Sequence, residues 1–103
     1  MKTVHSVQTS DIAYFYSIEK STFLTTKLGK SFSIDLSLEK LEGMLSPKDF
    51  FRINRQYITS FDSIKKMNVL SKSRIKLILE PLPSDEILIS NARTRDFREW
   101  LDR

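Results

Sequence analysis

The sequence predicts a mainly β domain of small antiparallel sheets, with one short internal helix and a C-terminal helix. Short runs rich in β-branched and aromatic residues recur along the chain and are divided by polar turns. Only two stretches change to a helical period of apolar residues. The strands follow one another directly instead of alternating with helices, which disfavours a doubly wound parallel sheet. At 103 residues the chain fits a single domain spanning 1–103, because a chain of this size buries one core.

Taken in order, Val4 to Val7, Ile12 to Ile18, Phe23 to Lys27 and Lys30 to Ile34 read as the strands of a meander. In the second of these, Ile12, Tyr14, Tyr16 and Ile18 share one face and Ala13, Phe15 and Ser17 the other, so both faces are expected to be covered. Gly29, in Leu28-Gly29-Lys30, supplies the positive φ of a hairpin turn. From Leu36 the period changes, and Leu38, Leu41, Met44 and Leu45 fall on one helical face. Ser37 is the expected N-cap, Ser46-Pro47 ends the helix, and Gly43 inside it costs about 1 kcal/mol relative to alanine. Phe50 to Ile53 and Gln56 to Thr59 read as short strands around Asn54-Arg55. Ile64 to Leu70 and Arg74 to Glu80 form a hairpin across Ser71-Lys72-Ser73, and in the second strand Ile75, Leu77 and Leu79 alternate with polar or outward positions. After the Pro81 to Ser84 turn comes a strand at Glu86 to Ile89. A last helix follows, with Phe97, Trp100 and Leu101 at the spacing that docks it on the body. The expected total is eight or nine strands.

Composition narrows the function. Hydrophobic residues are 40% and aromatics 11%, with two Gly and three Pro, so the chain has the apolar material to fold. It contains no cysteine, which removes disulfides, thiolate metal sites and thiol nucleophiles together. No apolar run is long enough to span a membrane and the start lacks a signal-peptide core, so a cytoplasmic protein without membrane contact is expected. His5 is the one histidine and sits among Thr, Val and Ser, where a plain surface residue is expected. Asp85-Glu86 is the one adjacent carboxylate pair, and neighbours on a strand face opposite ways. With no phosphate loop, metal-ligand spacing or nucleophile elbow, neither enzyme nor cofactor is expected. The formal charge of +4 is compatible with a polyanion partner. Residues 1–35 hold four basic and three acidic groups, 36–71 six and four, and 72–103 seven and six, so any basic face must be made by folding.

Three polar turns between apolar strands are the candidate site, because turns on a rigid scaffold are free to enter a groove. The first is Glu19 to Thr22, with Lys20, Ser21 and Thr22 as candidates. The second is Arg52 to Gln56, where Asn54, Arg55 and Gln56 supply donors and acceptors suited to phosphates and base edges. The third is Ser90 to Arg95, where Asn91 and Arg93 stand at the start of the last helix. There, a phosphate site and ordinary capping by Ser90 or Asn91 are both open readings.

The stretch FFRINRQYITSFDSIKKM, residues 50–67, resembles the central signature of the LytTR family. It is flanked in family order by the Ile12 to Tyr16 strand, a Leu-rich helix before Pro47, and Ile87 to Asn91 leading into Phe97-Arg98-Glu99-Trp100-Leu101. The Arg52 to Gln56 run and the terminal Phe-x-x-Trp-Leu are similar to versions from Bacteroidetes-type bacteria. The resemblance implies a DNA-binding output domain of a bacterial two-component response regulator. Such a domain reads promoter repeats through loops and not through a recognition helix, with a second copy on the repeated half-site, and it works with an upstream receiver domain or sensor kinase. It also implies double-stranded DNA contacts from Lys20, Ser21 and Thr22, from Asn54, Arg55 and Gln56, and from Asn91 and Arg93. Asn54 stands where the family commonly has His, and Asn91 where many members have Arg. Asn suits adenine where Arg suits guanine, so an altered base preference is expected. Arg52 reads as structural, pairing with a carboxylate or lying along an aromatic face. The rival reading is a protein-interaction module that uses exposed strand edges. An RNA reader would need Phe50 and Phe51 exposed for stacking.

Overall fold

A computed structural model describes residues 7–102. The expected strand at 4–7 and His5 lie outside the described residues except for Val7, which is not in a strand. Strands β1 (Ile12–Ile18), β2 (Ser21–Thr26), β3 (Ser31–Ile34), β4 (Phe50–Arg52) and β5 (Tyr57–Ser60) form one sheet in the order β3-β2-β1-β5-β4. Strands β6 (Ile64–Ser71), β7 (Arg74–Leu79) and β8 (Ile87–Leu88) form a second sheet in that order, and all pairings are antiparallel. Helix α1 (Leu38–Met44) lies between β3 and β4 in the chain, and α2 (Thr94–Leu101) ends it. The fold class is therefore the expected one, with eight strands among the described residues.

The larger sheet separates two apolar clusters. On one side Phe15, Leu24, Phe50 and Ile58 pack with Leu38 and Leu41 of α1. On the other, Tyr14, Ile53 and Tyr57 meet Ile75, Leu77 and Leu79 of the second sheet and Phe97 of α2. The alternation expected in β7 is present, since Ile75, Leu77 and Leu79 are each at most 1% exposed. In β1 a register shift between Ile12 and Tyr14 moves Ile12 onto the face of Phe15, and Ala13 joins the Tyr14 cluster. That bulge replaces the strict two-residue alternation expected there and lets four consecutive residues, Ile12 to Phe15, be buried.

Ser37 caps α1 as expected, its Oγ accepting from the Lys40 amide at 3.2 Å. The helix stops at Met44, which is 69% exposed, so of the expected apolar face Leu38 and Leu41 are buried, Leu45 packs partly buried from the C-cap position, and Met44 lies off it. Gly29 has φ +90° in its turn, as its position required. Phe97 is fully buried, and Trp100 donates from Nε1 to the Pro47 carbonyl at 2.9 Å, so α2 closes over the α1–β4 connection. Phe51 packs between Phe97 and Trp100, with ring centroids at 5.6 and 5.3 Å. With Phe50 8% exposed and Phe51 partly buried against Phe97 and Trp100, these rings are engaged in packing, which disfavours base stacking on them.

Candidate nucleic-acid interface

The turn joining β4 to β5 is built from beneath. Ile53 is fully buried, and its amide donates to the Tyr57 carbonyl at 2.9 Å, which closes the turn. Asn54 then folds its side chain inward. Its Oδ1 accepts from the amides of Gln56 (2.8 Å) and Tyr57 (2.9 Å), an Asx turn, while Nδ2 donates to the Leu88 carbonyl of β8 at 2.8 Å. Arg52 supplies the floor. Its Nε donates to the Asn54 carbonyl at 2.9 Å and its Nη2 to the Arg55 carbonyl at 2.8 Å, while Nη1 donates to Glu42 Oε1 at 3.2 Å. At 8% exposure this guanidinium is a buried charge with all three nitrogens hydrogen-bonded. Glu39 adds a second carboxylate at 3.6 Å from Nη2. Glu39 is itself held below its ordinary carboxyl range, first by a backbone hydrogen bond at the start of α1 and then by the Arg52 charge. The pairing of Arg52 with carboxylates was expected from sequence. Its grip on two turn carbonyls was not, because nothing local in the sequence shows which carbonyls a strand arginine will reach.

With Arg52 and Asn54 facing inward, Arg55 and Gln56 are the exposed side chains of the turn. The Gln56 carbonyl accepts from the Ser17 amide at 3.0 Å, which fixes the turn against the end of β1. Beyond it, β1 and β2 are joined by Glu19-Lys20 alone, with Ile18 opposite Ser21 and Glu19 at φ +57°. Strand β2 thus begins two residues before the expected Phe23. Thr22 accordingly lies inside the sheet opposite Ile34 and is 7% exposed, while Lys20 and Ser21 remain at the surface. Arg55, Lys20, Ser21, Thr22 and Lys40 line one open concavity of about 690 Å³.

On the opposite flank, the Ser90 amide donates to the Ile53 carbonyl at 3.2 Å, and Arg93 Nη1 reaches the Arg52 carbonyl at 3.5 Å. Residues Asn91–Arg93 form a single 3-10 turn before α2, with the Arg93 amide donating to the Ser90 carbonyl at 2.9 Å. Capping by Ser90 or Asn91, one of the two readings open from sequence, is not seen: Ser90 precedes the 3-10 turn and Arg93 precedes α2, and neither makes a side-chain cap bond. Thr94, 5% exposed, instead donates from Oγ1 to the Ser73 carbonyl at 2.9 Å and so joins this turn to the β6–β7 hairpin tip. At that tip, read from sequence as a hairpin turn and not as a candidate contact, Lys72 and Arg74 are exposed beside the third turn. Hydrogen bonds therefore connect the central turn to both of its neighbours. They place Lys20 and Ser21 on one side of Arg55 and Gln56, and Asn91 and Arg93 on the other.

Beneath the row, Tyr57 is 3% exposed, and burial pushes its hydroxyl pKa up to about 12, so it is a neutral donor to Asp85 Oδ2 at 3.5 Å. Among the described residues, no buried side-chain nitrogen or oxygen lacks a partner, and no three His, Cys, Asp or Glu are grouped to hold a metal. Among the described residues, no helix is long and apolar enough to cross a membrane. What the row presents is a set of cations and amide groups interspersed with the carboxylates of Glu19, Asp35, Glu39 and Glu42, on a scaffold whose buried side-chain polar atoms are satisfied among the described residues. That arrangement suits a polyanion with readable edges better than a small substrate.

Comparison with known proteins points the same way. The family model described as the LytTr DNA-binding domain matches residues 2–102. A solved structure superimposes with a TM-score of 0.81 at 22% identity, covering 94% of this chain and 86% of the other. It is described as the LytTr DNA-binding domain of a putative methyl-accepting/DNA response regulator from Bacillus cereus. That likeness establishes the fold, the family model extends over almost the whole sequence, and the chain belongs to the LytTR family of DNA-binding domains.

Proposed function

We propose that this domain recognises promoter DNA through the row of three turns, as the output module of a two-component response regulator acting in the cytoplasm. In this reading Arg55 and Gln56 enter a groove at the centre, Lys20 and Ser21 flank them on one side, and Asn91 and Arg93 flank them on the other. The observation that supports the reading is the pair of backbone bonds, from the Ser17 amide to the Gln56 carbonyl and from the Ser90 amide to the Ile53 carbonyl, which tie the central turn to the end of β1 and to the Ser90 turn. Thr22 and Asn54 act as supports, since one is buried in β2 and the other has its side-chain oxygen and nitrogen engaged. Asn91 is exposed where an adenine edge can be paired bidentately. Lys72 and Arg74 extend the face towards flanking phosphates. A second copy on a repeated half-site and an upstream receiver domain complete the proposal.

Selection of binding sites from a random duplex library tests it. The expected result is an enriched motif, present as a repeat, whose affinity falls as salt rises because counterions are released. Failure to enrich any motif, with no duplex binding at low salt, would overturn it. A second reading has one observation behind it. Strand β6 is an open sheet edge on which Met67, Val69 and Leu70 are 39%, 55% and 56% exposed. Lys65, Lys66 and two register shifts interrupt that edge, which are devices that discourage strand pairing. An interaction module of this kind would bind random duplex poorly at low salt.

A further inference from the structure

Helix α1 carries a negative charge into the end of the molecule where the arginines gather. Glu42 Oε1 accepts from Arg52 Nη1 at 3.2 Å, and Glu42 Oε2 lies 3.6 Å from Arg93 Nη1. One carboxylate thus serves two guanidinium groups, and the two are not equivalent. Arg52 is fixed by the Asn54 and Arg55 carbonyls and by Glu39, and it cannot turn outward without dismantling the central turn. Arg93, with 39% of its side chain exposed, is held by Glu42 and by a 3.5 Å contact to the Arg52 carbonyl. A pair this solvated is weak in water, so a phosphate can compete for Arg93. The phosphate must then lie close to the Glu42 carboxylate, at a distance where like charges repel.

The geometry points to Glu42 as the residue that positions Arg93 and thereby sets the discrimination between cognate and random DNA. This rests on the DNA reading of the three turns given above. A tethered arginine meets the one phosphate that base contacts from Arg55 and Asn91 bring into register, and it loses little side-chain freedom in doing so. Repulsion from Glu42 acts on any phosphate at Arg93, cognate or random, but on random duplex no base contact fixes the register, so there the tether works against binding as well. Release of Arg93 should therefore help random DNA more than cognate DNA.

The test is Glu42→Gln, titrated against the duplex recovered by selection and against a mixed-sequence duplex of the same length. Gln keeps an oxygen for Arg52 Nη1, and Glu39 remains as a counter-charge. Random-duplex affinity is expected to rise about 3- to 10-fold at low salt, with the salt slope steeper by up to about 0.9, the equivalent of one neutralised phosphate. Cognate affinity is expected to rise less, so that the ratio of the two falls at least about threefold, because Arg93 already meets its phosphate on the cognate site. Adding Arg93→Gln should abolish the rise. Equal changes on both duplexes, an unchanged slope, or a rise that survives loss of Arg93 would each overturn the proposal. A measurement on the unsubstituted protein stands beside it. The Nε–H of Arg93 should be more ordered by NMR relaxation than that of Arg95, whose side chain is 90% exposed, and equal order would overturn the tether. Absence of all duplex binding by the unsubstituted protein would instead remove the DNA reading itself, and this inference with it.

Discussion

The β4–β5 turn and the β1–β2 turn are both polar interruptions between apolar strands, yet they are made in different ways. At the first, the side chains of Arg52 and Asn54 fold under the turn and hold four backbone groups among the Asn54, Arg55, Gln56 and Tyr57 peptides. At the second, two residues close a hairpin, Glu19 takes a positive φ, and Lys20 extends into solvent. A braced turn can hold Arg55 in one orientation, which base-edge recognition needs. An unbraced one offers a mobile point charge, which suits a phosphate. Polar residues in these turns thus divide into those that shape the backbone and those that face outward.

Substitutions that exchange the two constructions test this division. Arg52→Ala is expected to have the largest effect, a loss of about 2–4 kcal/mol in unfolding free energy, since hydrogen bonds from a charged donor are worth about 1.5–3 kcal/mol each. The loss stays below the full cost of breaking a buried ion pair because Glu42 keeps 44% of its side chain in solvent. Denaturant titration followed by Trp100 fluorescence reads it. Asn54→Ala should cost about 1–3 kcal/mol, with faster amide exchange at Gln56 and Tyr57, because those donors lose their acceptor. Arg55→Ala should leave the unfolding free energy within about 0.5 kcal/mol of the original and weaken cognate binding by about 1–3 kcal/mol, with selectivity reduced. Lys20→Ala should have the smallest effect, flattening the salt dependence by about 0.9 and lowering cognate and random affinity together. If Lys20→Ala damaged selectivity as much as Arg55→Ala, the division between braced and unbraced turns would fail.

The sequence shows the fold more fully than it shows this division. The strands of the β6–β7 hairpin follow from Ile75, Leu77 and Leu79, and α1 follows from Ser37, Leu38 and Leu41, because period and capping are local signals. The bulge at Ile12 and Tyr14 has no such mark. No glycine or proline stands there, and the shift arises from pairing with Thr25 and Thr26 of β2. The three candidate turns are legible as turns, and Arg55, Gln56, Lys20, Ser21 and Asn91 are exposed as a site requires. Which polar residues turn inward is not legible. Asn54 reaches Leu88 across 34 positions of sequence, and Arg93 meets Arg52 across 41, contacts that exist only once β8 lies against the central turn. Thr22 illustrates the same limit, since a shift of two residues in the start of β2 takes it from a loop into the sheet.

Whether DNA meets the row of turns or a strand edge can be read residue by residue. The decisive measurement is titration of the isotope-labelled protein with the selected duplex, followed by amide chemical shifts. With DNA on the row, the largest shifts fall at residues 19–21, 54–56 and 90–93, smaller ones at the 72–74 hairpin tip, and none along β6 at 64–70. Shifts concentrated on β6 or β3, with the 54–56 amides unmoved at saturation, would contradict it.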